Sequence, residues 1–383
     1  MVFLVEKLIR FMLVMFFFKK PFPPVKQQQS ISILQPILSG DPTLWKCLAA
    51  NLTMQTNHFT EFIWLVDDND DEGIEGCKSL ITKFSDKNIK LIILPPPPQH
   101  VNPKTFKLLK GLNLAANDLI AVLDDDTILP DGGLDKTARF LEKQDAGIAF
   151  GLPYYVNFSN LWSGLTSCFV NSNSLFTYIP YTFFSEPITI NGMYYMLKKS
   201  VFQEVVASFE IEKELTDDYA IAQAVKKKGY TLIQTPVCHG ISTQVSSFSH
   251  YLRLLQRWFI FPQVSLMQSK NKGELAVFFI GAFLPTLFPL TLIILLLFVF
   301  NVRTLGLTVG YFFVNLNFLI AFNRYFFRSA TPASYWWGLL IQPVLLPFYI
   351  MWSFISPKQI NWRGHIMEVK KDGKFTFVNR RKA

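Results

Sequence analysis

From Leu275 to Phe300 the chain reads LAVFFIGAFLPTLFPLTLIILLLFVF, with no charged side chain. That stretch exceeds the ~20 apolar residues a helix needs to cross a bilayer. Two more uncharged stretches follow, Leu305–Phe322 and Tyr335–Ile355, the last bounded by the Trp and Tyr residues that favour a membrane–water interface. Three buried core helices are the alternative, but helices this apolar have no face to offer water. The sequence therefore predicts a transmembrane region over 273–356. The N-terminal stretch, residues 1–20, is apolar but broken by Glu6, Lys7 and Arg10. It shows no small-residue cleavage site of the kind that ends a signal peptide. It reads as a membrane-associated or partly inserted helix.

The net charge of +9 has a use beside such segments. Lys270 and Lys272 precede the first span, Arg324 and Arg328 lie between later ones, and the tail 357–383 is basic. Such charges favour the cytoplasmic side and anionic lipid. Three spans, however, would carry the tail to the side opposite the domain before them, although Pro343 and Pro347 also allow a re-entrant last segment. No groove-reading motif supports nucleic-acid binding. Four cysteines without a CxxC pair indicate neither a disulfide framework nor a zinc site.

Residues 30–245 read as a mixed domain. Ser30–Ile37, Phe59–Val66, the stretch IKLIIL and Asp118–Leu123 are strand-like, and helical stretches separate them. This alternation predicts parallel strands with helices on both faces. Open sheets of that kind bind ligands beyond the carboxyl ends of their strands. Two acidic clusters fall there: Asp67 and Asp68 after the second strand, and Asp124, Asp125 and Asp126 after the fourth. One acidic turn is commonplace; two at equivalent strand ends point to a shared ligand. Neither GxGxxG after the first strand nor GxxxxGK[ST] is present, so phosphate is handled otherwise. Asp124 and Asp126 suit a hard divalent cation, Mg²⁺ or Mn²⁺, of the kind that neutralises a nucleoside diphosphate.

A third acidic pair, Asp217 and Asp218, follows Thr216 at the start of a helix. First-turn aspartates can serve only to complement a helix dipole, with Thr216 as cap. The segment 246–272 is amphipathic and aromatic, and is expected to lie at the membrane interface. Arg257 and Trp258 are there either as anchors or, for Arg257, as a fork for phosphate.

These features, in this order, resemble the inverting family 2 type of membrane-bound GT-A glycosyltransferases. SILQPILSGDPTL, NPKTFKLLKGL, GLPYYV, NGMYYMLKKSVF, TDDYAIAQAVKKKGY and the tail INWRGHIMEV are similar to ceramide glucosyltransferases and their bacterial relatives. The resemblance implies a GT-A fold, a Rossmann-like mixed sheet with helices on both faces, plus C-terminal transmembrane helices. It implies a membrane enzyme whose catalytic domain faces the cytosol and transfers glucose from UDP-glucose to ceramide, with inversion. Carried over by position, Asp68, Asp124 and Lys104 become nucleotide-binding residues. Asp124 and Asp126 become the Mg²⁺ or Mn²⁺ ligands, Asp218 the general base, and Arg257 and Trp258 the diphosphate and acceptor residues. The chain departs from the (Q/R)xxRW pattern at Leu254. Asn160–Phe184 is the candidate acceptor lip, an ordinary packed helix being its alternative. Diacylglycerol, a hopanoid or another lipid as acceptor, another UDP-sugar as donor, a polymerising synthase, and an inactive membrane-anchored nucleotide-sugar binder stay open as alternatives.

Overall fold

A computed structural model describes residues 2–24, 29–268, 272–273, 276, 279–370 and 374–381. Two compact units divide the chain. One holds Met1–Lys20, Tyr154–Ser185 and Val245–Pro357; the other holds Pro21–Pro153, Glu186–Gln244 and Lys358–Ala383.

The second unit is built on strands buried on both faces, which is why they read as continuous apolar runs. Its strands are β1 (Ile31–Pro36), β2 (Thr60–Asp67), β3 (Ile89–Leu94), β4 (Leu119–Leu123), β5 (Thr127–Ile128), β6 (Ala146–Tyr155, of which Tyr154 and Tyr155 count with the first unit), β7 (Tyr194–Lys198) and β8 (Thr231–Ile241). They form one sheet in the order β3-β2-β1-β4-β7-β6-β8-β5. β3, β2, β1 and β4 are mutually parallel, while β7 runs antiparallel to both β4 and β6. Successive residues serve opposite faces. Ile31, Ile33, Phe62, Trp64, Leu119 and Ala121 pack on one side with the helices Leu44–Thr53 and Asp71–Lys83. Leu34, Ile63, Leu65, Ile120 and Val122 pack on the other with the helices Pro103–Leu114 and Lys199–Ser208. Fully burying one such side chain stabilises the fold by roughly 1.5–3 kcal/mol.

The chain leaves β1 to one side through β2 and β3, then returns to place β4 on the other side of β1. Beyond the carboxyl ends of β1 and β4 the sheet therefore opens a crevice, where ligands of such sheets bind. A second, three-stranded antiparallel sheet in this unit comes from the tail: β9 (Gln359–Trp362), β10 (His365–Val369) and β11 (Phe375–Asn379). The basic tail, whose charge was expected beside a membrane and whose INWRGHIMEV stretch carries part of the family resemblance, is thus folded, and it shares the unit of the large sheet.

The first unit is helical. Among the described residues, two helices are long and apolar enough to cross a membrane, Val302–Tyr325 and Ala333–Ile355. The other expected span, Leu275–Phe300, lies partly outside the described residues. Its described part is a π-helical turn at Phe279–Phe283, a 3₁₀ turn at Leu284–Leu287 and a helix of only 11 residues, Phe288–Phe298. Pro285 and Pro289 lack the N–H that an unbroken helix needs.

The N-terminal helix Val2–Lys19 packs by ring stacking, Phe11 on Phe318 and Phe18 on Phe326. Its charges are partnered: Arg10 pairs with Glu6 and donates to the Phe176 carbonyl at 2.7 Å. Leu161–Tyr181 is a 21-residue helix of this same unit, although sequence reading put it inside the 30–245 domain. Small residues let its neighbour approach. A Cβ on Gly164 would lie 2.1 Å from the Tyr335 ring, and one on Gly338 would lie 2.7 Å from Cys168 Sγ. Gln342 ties the pair by donating to the Leu165 carbonyl at 3.1 Å. This is how helices associate where hydrophobic burial gives little drive.

Candidate active site

The site in the sheet unit is assembled from the helix Pro103–Leu114 outward. Asn102 caps it by accepting from the backbone N–H groups of Lys104 and Thr105, and Pro103 takes the first turn, where no N–H is required. The Asn102 amide also donates to the Leu215 carbonyl at 3.0 Å, and its backbone N–H donates to Glu212 at 2.7 Å. The start of this helix is thereby fastened to the segment that leads into the helix Asp217–Lys227.

That fastening places Lys104 between two acidic stations. Its Nζ lies 2.7 Å from Asp124 and 3.3 Å from Asp217, and donates to the Gly192 carbonyl at 2.8 Å. Burial alone would lower its pKa, but the carboxylates of Asp124 and Asp217 outweigh that and hold the ammonium above its ordinary range. One turn on, Lys107 is buried and pairs with Asp67 at 2.9 Å. NPKTFK thus carries two cations at i, i+3 on one helix face, each meeting the aspartate at the end of a different strand.

Asp218 is the second residue of its helix. Thr216 holds the N-cap position, but its side chain makes no capping bond, contrary to the sequence expectation. Burial, and then the neighbouring charge of Asp217, push the Asp218 carboxyl up to about 7. Gly192 faces it: a Cβ there would lie 3.1 Å from the Asp218 Cβ and 3.6 Å from Lys104 Nζ. A side chain at position 192 would therefore meet both Asp218 and Lys104.

The three consecutive aspartates part company. Asp124 is raised to about 7, by burial first, with Lys104 opposing and Asp126 adding to the rise. Asp126 is also raised, again by burial, although Thr243 donates to it at 2.9 Å. Asp125 is buried and accepts a two-pronged bond from Arg363 of the tail, at 2.5 and 2.7 Å, together with the Leu38 N–H at 2.9 Å. Sequence reading noted both stretches but assigned neither Asp125 nor Arg363 a role. After β2, Asp67 is the buried, paired residue, whereas Asp68, expected to bind nucleotide, is exposed and held by its backbone N–H on the Leu94 carbonyl. Asp70, also unforeseen, caps the next helix and accepts from the Ser39 N–H at 2.8 Å.

Asp124, Lys104, Asp217 and Asp218 therefore gather at one place, with Asp126 beyond Asp124. Among the described residues no cluster of three or more His, Cys, Asp or Glu side chains could hold a metal ion unaided.

Arg257 and Trp258 lie in the helical unit, on the helix Phe248–Gln268. There Trp258 stacks on Phe169 at 5.8 Å and meets Tyr155 edge-on at 5.7 Å. Leu254, the departure from the expected motif, is buried with Val245, Tyr251 and Leu255, so its position serves an apolar core.

An open sheet with a switch point between β1 and β4, carrying carboxylates at its strand ends, defines a GT-A type of domain. The fold is shared with a mannosyltransferase from Pyrobaculum calidifontis solved in complex with GDP-Man and Mn²⁺. The TM-score is 0.50 at 13% identity, covering 92% of this chain and 96% of that one. Residues 2–375 match the family described as Glycosyl transferase family 21, and the chain belongs to that family. It is 25% identical over 230 residues to ceramide glucosyltransferase 1 of Caenorhabditis elegans, covering 60% of this chain and 48% of that protein. It is 22% identical over 240 residues to ceramide glucosyltransferase 3 of the same organism, covering 61% and 51%. A ceramide glucosyltransferase of Komagataella phaffii is 28% identical over 128 residues, covering 33% and 25%. The chain thus spans about half the length of the first two of these relatives.

Proposed function

We propose that the protein is an inverting glycosyltransferase that moves a sugar from a nucleoside diphosphate to the hydroxyl of a membrane lipid. UDP-glucose and ceramide are the donor and acceptor we assign, because curated relatives of this chain are ceramide glucosyltransferases. The observation that carries the chemistry is Asp218: a half-buried carboxyl pushed up to about 7, beside Gly192, which has no side chain to crowd it. A general base works best with a pKa near the working pH.

In this reading Asp218 takes the proton of the acceptor hydroxyl as that oxygen attacks the anomeric carbon. The bond from that carbon to the diphosphate breaks on the opposite face, which inverts the configuration. Lys104 keeps Asp124 and Asp217 compensated so that a dianionic diphosphate can approach. Asp68, exposed at the end of β2, is assigned to the nucleotide base. Arg257 is assigned to the departing diphosphate and Trp258 to the lipid.

Asp124 and Asp126 fit a Mg²⁺ or Mn²⁺ ion. Both are raised by burial, Asp124 against the opposing charge of Lys104 and Asp126 against that of Arg363, and both side chains stay partly open to solvent. Such an ion commonly takes one or two carboxylates and completes its shell with phosphate oxygens and water. When bound, it would offset the charge gathering on the leaving diphosphate.

Membrane attachment is supported by the two long apolar helices and by exposed large apolar side chains such as Phe298, Val302 and Ile355. The tail belongs to the same unit as the sheet. An even number of crossings between residues 245 and 358 is therefore assigned, with both parts facing the cytosol.

The test is transfer by purified protein in lipid bilayers, offered a panel of nucleotide sugars and lipids, with products read by mass spectrometry. Glucosylceramide from UDP-glucose supports the assignment. Nucleotide binding without transfer to any lipid would make the protein a binder instead.

A further inference from the structure

The catalytic reading leaves the tail sheet unused, yet that sheet reaches the aspartate loop through Arg363. Arg363 and Gly364 form the two-residue turn between β9 and β10, with φ of +46° and +91°. Such a turn wants Asn, Asp or Gly at its first central position. Arginine there adopts a left-handed backbone that a long side chain seldom takes. Strain of this kind persists where the surroundings enforce it. What it achieves is direction. The guanidinium makes both prongs to Asp125 and donates a further bond to the Leu38 carbonyl at 2.8 Å. Asp125, fully claimed, accepts the Leu38 N–H in return. One arginine thus fixes the loop after β4 to the loop after β1, the two walls of the crevice. A second tail contact reinforces the first wall, since Arg381 donates to the Ser39 carbonyl at 2.7 Å and to Ser39 Oγ at 2.9 Å.

The central aspartate is neutralised and held inward, so Asp124 and Asp126 on either side keep defined directions. The loop's backbone is tied by the Asp124 N–H on the Met193 carbonyl and the Ser242 N–H on the Asp126 carbonyl, which leaves the Asp125 side chain to Arg363 and the Leu38 N–H. We propose that Arg363 is a positioning residue for the donor site, latching Asp125 so that the aspartate loop is set for the nucleotide diphosphate, and that the C-terminal sheet is an integral part of that site. This rests on the proposed function for its catalytic consequence but not for the latch itself.

The experiment uses the full chain in bilayers and compares wild type with Arg363→Ala, Arg363→Lys, Asp125→Asn and the double variant Asp125→Asn/Arg363→Ala. Two readouts are taken. Amide hydrogen exchange without nucleotide should quicken at Leu38 and across Asp124–Ile128 in Arg363→Ala, while the amides of β2 and β3 keep wild-type protection. Steady-state kinetics should show kcat/KM for UDP-glucose down by about 10²-fold, the cost of a displacement of roughly 1 Å at the reacting atoms. Arg363→Lys should recover only part, because a point charge lacks the fork. The double variant should lose no more than either single one, as members of one pair do. If Arg363→Ala fails to fold, Asp125→Asn, which keeps the shape of the side chain, carries the same expectations. Unchanged exchange in the loop, or wild-type donor kinetics in the variants, overturns the latch. A wild type that transfers no sugar overturns the proposed function, and the exchange data still decide the latch.

Discussion

Lys104 and Asp124 form an ion pair at 2.7 Å, made by a lysine on the first turn of a helix and an aspartate at the end of the fourth strand. The pair is mostly buried, and the same ammonium also serves Asp217 at 3.3 Å. Lys104 is therefore the cation that Asp124 and Asp217 share.

Replacing Lys104 with Met should leave two carboxylates uncompensated. Removing one partner of a buried pair costs about 3–5 kcal/mol. A lowered midpoint in denaturant or thermal unfolding, together with lost transfer, is the expected outcome. A wild-type midpoint would mean that the pair contributes nothing net.

Gly192→Ala should separate chemistry from folding. The added methyl meets the Asp218 Cβ at 3.1 Å and would crowd the approach to its carboxyl. Turnover should fall while the unfolding midpoint stays close to wild type. Equal turnover would show that the acceptor does not approach by that gap.

Transfer should depend on pH through Asp218. The carboxylate is the working form, and its proton is held up to about 7 by burial and by Asp217. The rate should therefore be full at alkaline pH and fall as pH drops through about 7. A profile flat from pH 8 to 5 would remove Asp218 from the role of base.

Asp126→Asn should weaken UDP binding measured with Mn²⁺ far more than UDP binding measured in chelator. Calorimetry that gives the same affinity with and without metal in both proteins would remove the metal from the account.

Much of this site was legible in the sequence, because its chemistry sits where topology puts it. Parallel strands buried on both faces read as apolar runs, and Asp124 and Asp126 follow one of them directly. Asp218 was visible as a first-turn residue, but its burial was not, since burial depends on which elements pack around it. Lys107 carries a local signal, the i, i+3 spacing with Lys104. Arg363 lies in the family-like stretch INWRGHIMEV, but its partner is 238 residues away in sequence, so nothing local points to Asp125. Asp125 was read only as one of three consecutive aspartates, with Asp124 and Asp126 given the metal. The first apolar stretch was read by composition alone, which does not register how Pro285 and Pro289 interrupt a helix. At Leu254 the motif failed while the fold held, because burial with Tyr251 and Leu255 accounts for that residue.

The central claim is that Asp218 takes the proton of a lipid hydroxyl. Its most direct test compares wild type with Asp218→Asn in bilayers containing ceramide, with UDP-glucose and Mn²⁺, and measures the glucosylated lipid and its anomeric configuration together with UDP binding. The account predicts a β-linked product from wild type, turnover lower by about 10²–10⁴-fold in the variant, and UDP binding retained in both. Near-wild-type turnover by Asp218→Asn, or a product that keeps the donor's configuration, would contradict it.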